Sequence, residues 1–271
     1  MRRSIPLAVI VLVAMMMLPP GAGAITNGTP DTAHDNVGAL LYWDPEVKDI
    51  FGQCTGSLIA PDLFLTAAHC FQWSDDRAMW VTFEPDLKLE SDGTIGLGSS
   101  QMIPVANVTI HPGYRATIAT AYNDVAVVKL ARSVKKVTPI SLPDEGFLSS
   151  AAAGGALKGH MFENVGYGSV EQWGSAASPF LVLEFDGLRS VSTSPFAALT
   201  TYHLHLQENV TVTGLGGTGF GDSGGPRFFE ADSDLVVAIN VSGDPKSQAL
   251  AQAQRLDTAA VAGFLEGFLD N

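Results

Sequence analysis

Gly221-Asp222-Ser223-Gly224-Gly225-Pro226 sets a hydroxyl between an acid and two glycines, late in a chain of 271 residues. The stretch is a poor helix and a poor strand. Its glycines reach backbone angles closed to other residues and leave room for a ligand to approach the main chain. A tight turn of this kind pushes the serine outward and aims successive N–H groups into one concavity. The N–H groups of Gly221 and Ser223 would suit an oxyanion forming on an attacked carbonyl. A serine hydroxyl is a weak nucleophile until a base takes its proton. The chemistry therefore asks for a histidine and a carboxylate elsewhere. Thr66-Ala67-Ala68-His69-Cys70 and Asn123-Asp124-Val125-Ala126 offer them.

Taken in the order His69, Asp124, Ser223, these three motifs resemble those of the trypsin/chymotrypsin-like serine proteases, whose chain order differs from that of other Ser-His-Asp folds. The resemblance runs from Ile25 to Leu269. It implies an all-β fold of two antiparallel six-stranded barrels with a C-terminal α-helix, the active site lying in the cleft between them. It also implies acyl transfer through a covalent intermediate. Ser223 attacks, His69 takes and returns the proton, and Asp124 orients the imidazole. Gly221 and Ser223 form the oxyanion hole, and no metal or organic cofactor is needed. Two other readings stand beside this one: a catalytically silent binding protein on the same scaffold, and an esterase using the same triad.

The resemblance carries further expectations. A new N-terminus at Ile25, in Ile25-Thr26-Asn27-Gly28, would fold inward and pair its ammonium with Asp222. The substrate pocket would draw on Gly217, Thr218, Phe220, Val241, Ser242 and Gly243. Its base falls on Gly217 where Arg- and Lys-specific relatives carry an aspartate, so an uncharged pocket is expected. Gly219 stands where the family places a cysteine, so that pocket disulfide is absent. The partner implied is a protein or peptide substrate, with room for a protein inhibitor, and the protein is expected to act as a monomer.

Composition narrows the class. Apolar residues make up 46% and charged residues 16% of the chain, as in a packed globular protein. A formal charge of −13 argues against nucleic acid as a partner. Residues 1–24 read as an export signal: Met1-Arg2-Arg3, an apolar run from Ile5 to Leu18, then Ala22-Gly23-Ala24. The run is short for a membrane span, so no stable anchor is expected. No Arg or Lys lies between Arg3 and Lys48, so cutting by signal peptidase is expected to expose Ile25 directly. Cys54 and Cys70, bound for an oxidising compartment, are expected to form a disulfide beside His69.

The elements that must position these groups are mostly short strands. Apolar runs broken by Gly and Pro mark Val37–Tyr42, Gly52–Thr66, Trp80–Phe83, Ile103–Ile110 and Val125–Leu130. In the second half, Val165–Gly168, Leu181–Phe185, Tyr202–Leu206 and Leu235–Val241 read the same way. Lys135–Pro143 reads as a crossing segment, placing a first barrel at about 25–140 and a second at about 141–271 of one protease domain, residues 25–271. One helix is expected near the C-terminus, capped by Thr258, with Val261, Phe264, Leu265 and Phe268 on one face. Gly214-Leu215-Gly216-Gly217-Thr218-Gly219 matches a dinucleotide-binding pattern but lacks the strand–turn–helix setting. His203 and His205 alternate along a strand and read as solvent-facing.

Overall fold

The computed structural model describes residues 25–72, 77–117, 121–173, 181–231, 233–242 and 250–269. The expected export signal and Gly243 lie outside them. In chain order the strands and helices are β1 (Thr29–Pro30), β2 (Val37–Asp44), β3 (Asp49–Ala60), β4 (Leu63–Thr66), β5 (Met79–Thr82), β6 (Ile103–Ile110), β7 (Arg115–Ala116), β8 (Ala121–Tyr122) and β9 (Ala126–Leu130). Next come α1 (Phe147–Ala153), β10 (Met161–Gly166), β11 (Val170–Trp173), β12 (Leu181–Glu184), β13 (Ser190–Leu199), β14 (His203–Gln207), α2 (Val210–Thr213), β15 (Pro226–Phe228), β16 (Val236–Ser242), β17 (Leu250–Arg255) and α3 (Ala259–Leu269).

Six strands close the first barrel in the order β2-β3-β4-β9-β6-β5. Its apolar runs fill the interior, with Leu40, Leu58, Phe64, Leu65, Val81 and Val128 fully buried. The second barrel runs β13-β10-β15-β16-β17-β14 and is closed by β13 pairing with β14. Strand β13 is long enough to share one edge between two partners. Ser190 and Val191 at its start pair with β1, and Phe196 to Leu199 at its end pair with β14, across a bulge. The expected pair of six-stranded antiparallel barrels is therefore present.

Strand β13 escapes a hydrophobic-pattern reading because its pattern is inverted. Ser190, Ser192 and Ser194 are the buried positions, while Val191 between them is only half-buried. They face a polar interior: the Asn164 side chain donates to both Ser194 Oγ, at 2.8 Å, and Ser192 Oγ, at 3.3 Å. Helix α1 is a second unexpected element. It packs Leu148 inward, and the Leu148 N–H donates to Asp257 Oδ2 at 2.8 Å. The C-terminal helix matches expectation. Thr258 accepts from the Val261 N–H, and Val261 and Leu265 are buried against the core with Phe264 and Phe268 beside them.

Among the described residues, no helix is long and apolar enough to cross a membrane.

Candidate active site

His69 and Asp124 meet at the mouth of the first barrel. Strand β4 ends at Thr66, and a short 3-10 turn over Ala68–Phe71 carries His69. The Cys54–Cys70 disulfide ties that turn to β3. Asp124 lies two residues before β9, which pairs with β4 from Thr66↔Ala126 onward, so the two strands deliver both residues to one end. Asp124 is 1% exposed. Its Oδ1 accepts from the His69 backbone N–H at 2.9 Å, and its Oδ2 accepts from His69 Nδ1 at 2.8 Å. A buried carboxylate bonded to Nδ1–H leaves Nε2 as the ring's proton acceptor. The Asp124 N–H donates in turn to Gln254 Oε1 of β17 at 3.2 Å, which anchors the site to the second barrel.

The Ser223 turn is docked against these elements. The Ser223 carbonyl accepts from the Thr55 N–H of β3 at 2.9 Å. Gly224, at φ +80°, lies so close to β4 that a Cβ would come 2.1 Å from Thr66 Oγ1 and 2.7 Å from the Ala67 nitrogen. A side chain there would push the Ser223 turn away from the residues leading to His69. Gly221 sits at φ +97°. The Phe220 carbonyl accepts from Ser169 N–H at 2.6 Å, and the Asp222 carbonyl accepts from Gly225 N–H at 2.9 Å. Because C=O and N–H of a trans peptide point opposite ways, these bonds turn the Gly221 and Ser223 N–H groups away from Ser169 and Gly225.

Asp222 is buried in the second barrel's end. Its carboxylate accepts from Gly168 N–H and Gly219 N–H, each at 2.8 Å. Burial pushes its carboxyl up to about 7, against the opposing pull of those N–H groups and of Arg227. Ile25 is fully buried as well. The Thr26 carbonyl accepts from Gly217 N–H at 3.0 Å, which lays the start of the described chain beside the segment leading to Asp222.

The expected pocket residues divide. Gly217 and Thr218 are buried, Val241 belongs to the core, Ser242 is exposed, and Phe220 is 53% exposed. The Thr218 hydroxyl is already engaged: it donates to Glu208 Oε1 at 2.9 Å and accepts from Arg227 at 3.0 Å. Gly219 lies against Ser169, whose carbonyl would be 2.3 Å from a Cβ, so a cysteine does not fit there without a shift.

Two polar clusters had no signal in the sequence pattern. Arg227 and Glu208, 0% and 1% exposed, pair at 3.2 Å under Thr218, and Arg227 also donates to Asn240 Oδ1 at 2.7 Å and to Asn164 Oδ1. The Asp31 carboxylate accepts from Arg189 Nε at 2.8 Å and bonds His34 Nδ1 at 3.0 Å, while His34 Nε2 reaches Glu163 at 3.1 Å. Apart from the local Asp31–His34 pair, the partners come from different segments of the chain, and barrel closure brings them together.

The histidine pair on β14 departs from expectation. His203 is 5% exposed, with Nε2 2.7 Å from the Ala121 carbonyl, because β8 lies over that face.

Paired antiparallel barrels with a His–Asp dyad at their junction define the chymotrypsin-type class of two-barrel proteins. The chain belongs to the trypsin family, whose model, described as Trypsin, matches residues 46–259. It is 31% identical to granzyme E of Mus musculus over 140 residues, 49% of this chain and 52% of that protein. It is 38% identical to proproteinase E of Bos taurus over 98 residues, 34% of this chain and 36% of that one. The matches thus span about half or less of these relatives' lengths. Among solved structures, human heparin binding protein superposes with a TM-score of 0.65 at 17% identity, covering 91% of this chain and 97% of its own, which is a likeness of fold.

Proposed function

We propose that the protein is a secreted serine endopeptidase that cleaves peptide bonds through an acyl-enzyme on Ser223. The observation that carries this reading is the His69–Asp124 pair: a buried carboxylate 2.8 Å from Nδ1 leaves Nε2 free to act as base. In the mechanism, Nε2 takes the Ser223 hydroxyl proton as Oγ attacks the carbonyl. Asp124 stabilises the imidazolium, and the Gly221 and Ser223 N–H groups receive the oxyanion. The proton then passes from His69 to the departing amine, and water repeats the sequence to release the acid.

Residues 1–24 act as the export signal in this reading, and cleavage before Ile25 creates an ammonium that pairs with Asp222. Ile25 is already buried, and Thr26 already pairs with Gly217. The residue before the cut is apolar. Gly217 brings no carboxylate to the pocket base, and the nearby Glu208 is neutralised by Arg227.

A binding-only reading draws on the fold shared with human heparin binding protein. A chain of charge −13 repels a polyanion of that kind. Intact mass after a serine-directed fluorophosphonate separates the readings. One label per mature chain starting at Ile25, lost in Ser223→Ala, is the expected result; a folded protein that takes no label would sink the enzyme reading. Parallel assays on peptide amides and simple esters distinguish protease from esterase.

A further inference from the structure

The carbonyls of the Ser223 turn are held one after another. Those of Phe220, Asp222 and Ser223 accept from the backbone N–H groups of Ser169, Gly225 and Thr55, at 2.6, 2.9 and 2.9 Å. The Gly221 carbonyl is held by a side chain instead: Thr55 Oγ1 donates to it at 2.9 Å. The same hydroxyl accepts from the Tyr167 N–H at 3.1 Å. A hydroxyl has one proton to give, and with the Tyr167 N–H on its lone pair that proton goes to Gly221.

Thr55 belongs to β3 of the first barrel and is fully buried where that barrel meets the turn. Bare backbone closes around it. A Cβ on Gly166 would come 3.3 Å from Thr55 Oγ1, one on Gly225 3.2 Å from its Cγ2, and one on Gly224 2.5 Å from its carbonyl oxygen. On its other side, Thr66 Oγ1 donates to the Thr55 carbonyl at 2.7 Å, and Thr66 ends the strand that leads to His69. Thr55 thus meets the Ser223 turn with its N–H and hydroxyl, and the His69 segment with its carbonyl.

The Gly221 carbonyl shares a rigid peptide plane with the Asp222 N–H, which donates to the Gly219 carbonyl at 3.2 Å. Thr55 and Gly219 therefore pin that plane from both ends. The Gly221 N–H lies in the plane before it, and only the torsions of a glycine at φ +97° separate the two. Such a joint resists rotation least of all residues. Removing the Thr55 hydroxyl takes away one pin and leaves the Gly221 carbonyl and the Tyr167 N–H, both buried against it, without that partner. Each then gains by turning towards another.

Resting on the serine endopeptidase reading, we propose that the Thr55 hydroxyl is a positioning group for the oxyanion hole. It touches no substrate atom. It acts through Gly221, holding the Gly221–Asp222 peptide so that the Gly221 N–H faces the oxygen that becomes charged when Ser223 attacks. A donor aimed in advance at that oxygen counts most once the charge has formed, so the hydroxyl bears on the transition state more than on substrate binding.

Thr55→Val keeps the shape and removes the hydroxyl, whereas Thr55→Ser keeps the hydroxyl and removes the methyl group facing Gly225. On a peptide amide, Thr55→Val should lower kcat by about 10- to 100-fold with KM little changed, short of the roughly 10²- to 10³-fold cost of losing an oxyanion donor outright. A peptidyl aldehyde ending in an apolar residue reads the same donor at equilibrium. Ser223 Oγ adds to its carbon, His69 takes the hydroxyl proton, and the carbonyl oxygen becomes the oxyanion. Its affinity should fall by the same factor as kcat. Thr55→Ser should stay close to the parent in both measurements. Thr55→Ala, which removes the hydroxyl without setting a methyl group against the Gly221 carbonyl, should repeat the loss and decides the matter if Thr55→Val does not fold. Parental kcat and aldehyde affinity in a folded variant lacking the hydroxyl would overturn the role of Thr55 and leave the endopeptidase reading standing. So would a change confined to KM, or a loss in Thr55→Ser as large as in Thr55→Val, which would trace the effect to packing. A folded parent that takes no fluorophosphonate would overturn the endopeptidase reading and this one with it.

Discussion

Gly168 N–H donates to Asp222 Oδ1 at 2.8 Å, and a Cβ on Gly168 would lie 2.5 Å from the carboxylate carbon. The acid is packed against bare backbone, with its ionised form held by N–H dipoles rather than by an adjacent side-chain cation. Its carboxyl stands at about 7 in this chain, where Ile25 is joined to the residue before it. A folded value above the unfolded one means that folding takes up a proton between roughly pH 4 and 7, so stability falls as pH rises through that window. Urea midpoints of the uncut chain should drop across that window relative to Asp222→Asn. In protein beginning at Ile25, an ammonium pairing with Asp222 should abolish the drop. Activity of that form should fade above roughly pH 8 as the ammonium deprotonates. A cut protein with unchanged alkaline activity would refute the pairing.

Asp124 holds both the backbone and the ring of His69, so its two oxygens do different work. Asp124→Asn keeps the shape but offers Nδ1 a mixed donor–acceptor partner and favours the wrong tautomer. We expect kcat to fall by about 10⁴ with little change in KM, as loss of base catalysis implies. Steady-state kinetics on a peptide amide would check this, and a purely KM effect would contradict it.

Arg227 and Glu208 are a fully desolvated pair under the expected pocket base, and burial holds the Arg227 guanidinium below its ordinary range despite Glu208. Removing one partner strands the other charge. Glu208→Ala and Arg227→Ala should each cost about 3–5 kcal/mol in urea unfolding, whereas Arg227→Met combined with Glu208→Leu should cost clearly less than either. Losses in the double variant equal to the sum of the singles would show that the two residues act independently.

His34 ties the stretch after β1 to the second barrel. Burial opposes its charge, but Asp31 and Glu163 together outweigh burial and lift the imidazole to about 9. Burial likewise opposes the Asp31 charge, and His34 and Arg189 overcome it to bring the carboxyl down to about 2. The His34 contribution to stability is complete below roughly pH 6.5 and vanishes as pH rises through about 9. The Asp31 contribution is present above roughly pH 4 and lost as pH falls through about 2. Thermal melts of His34→Gln against the parent should differ most at pH 6 and converge near pH 10. A constant difference across that range would remove the charge from the explanation.

Much of the fold was legible in the chain because its first barrel follows simple rules. Val37–Tyr42, Ile103–Ile110 and Val125–Leu130 are apolar runs with turn residues between them, and each is a strand of one closed barrel. Thr258 and the face of Val261 and Leu265 define the last helix for equally local reasons. The second barrel was less legible. Ser192 and Ser194 turn polar groups inward, so strand β13 carries no apolar alternation to read. Helix α1, over Phe147–Ala153, is too short to set up a recognisable period.

The candidate site divides along the same line. Residue type and order in the sequence single out His69, Asp124 and Ser223, because a serine needs a base and a base needs an orienting acid. The turn glycines, too, are named by a local demand for backbone angles that other residues resist. What tertiary structure alone decides is which distant groups share a desolvated space. Arg227 meets Glu208 and Asn164, Asp31 meets Arg189, and Leu89 meets Gly187 beside Gly221, since two barrels close and pack. A buried charge or an apolar cavity is a property of surroundings, and surroundings exist only once chain segments far apart in sequence are brought into contact.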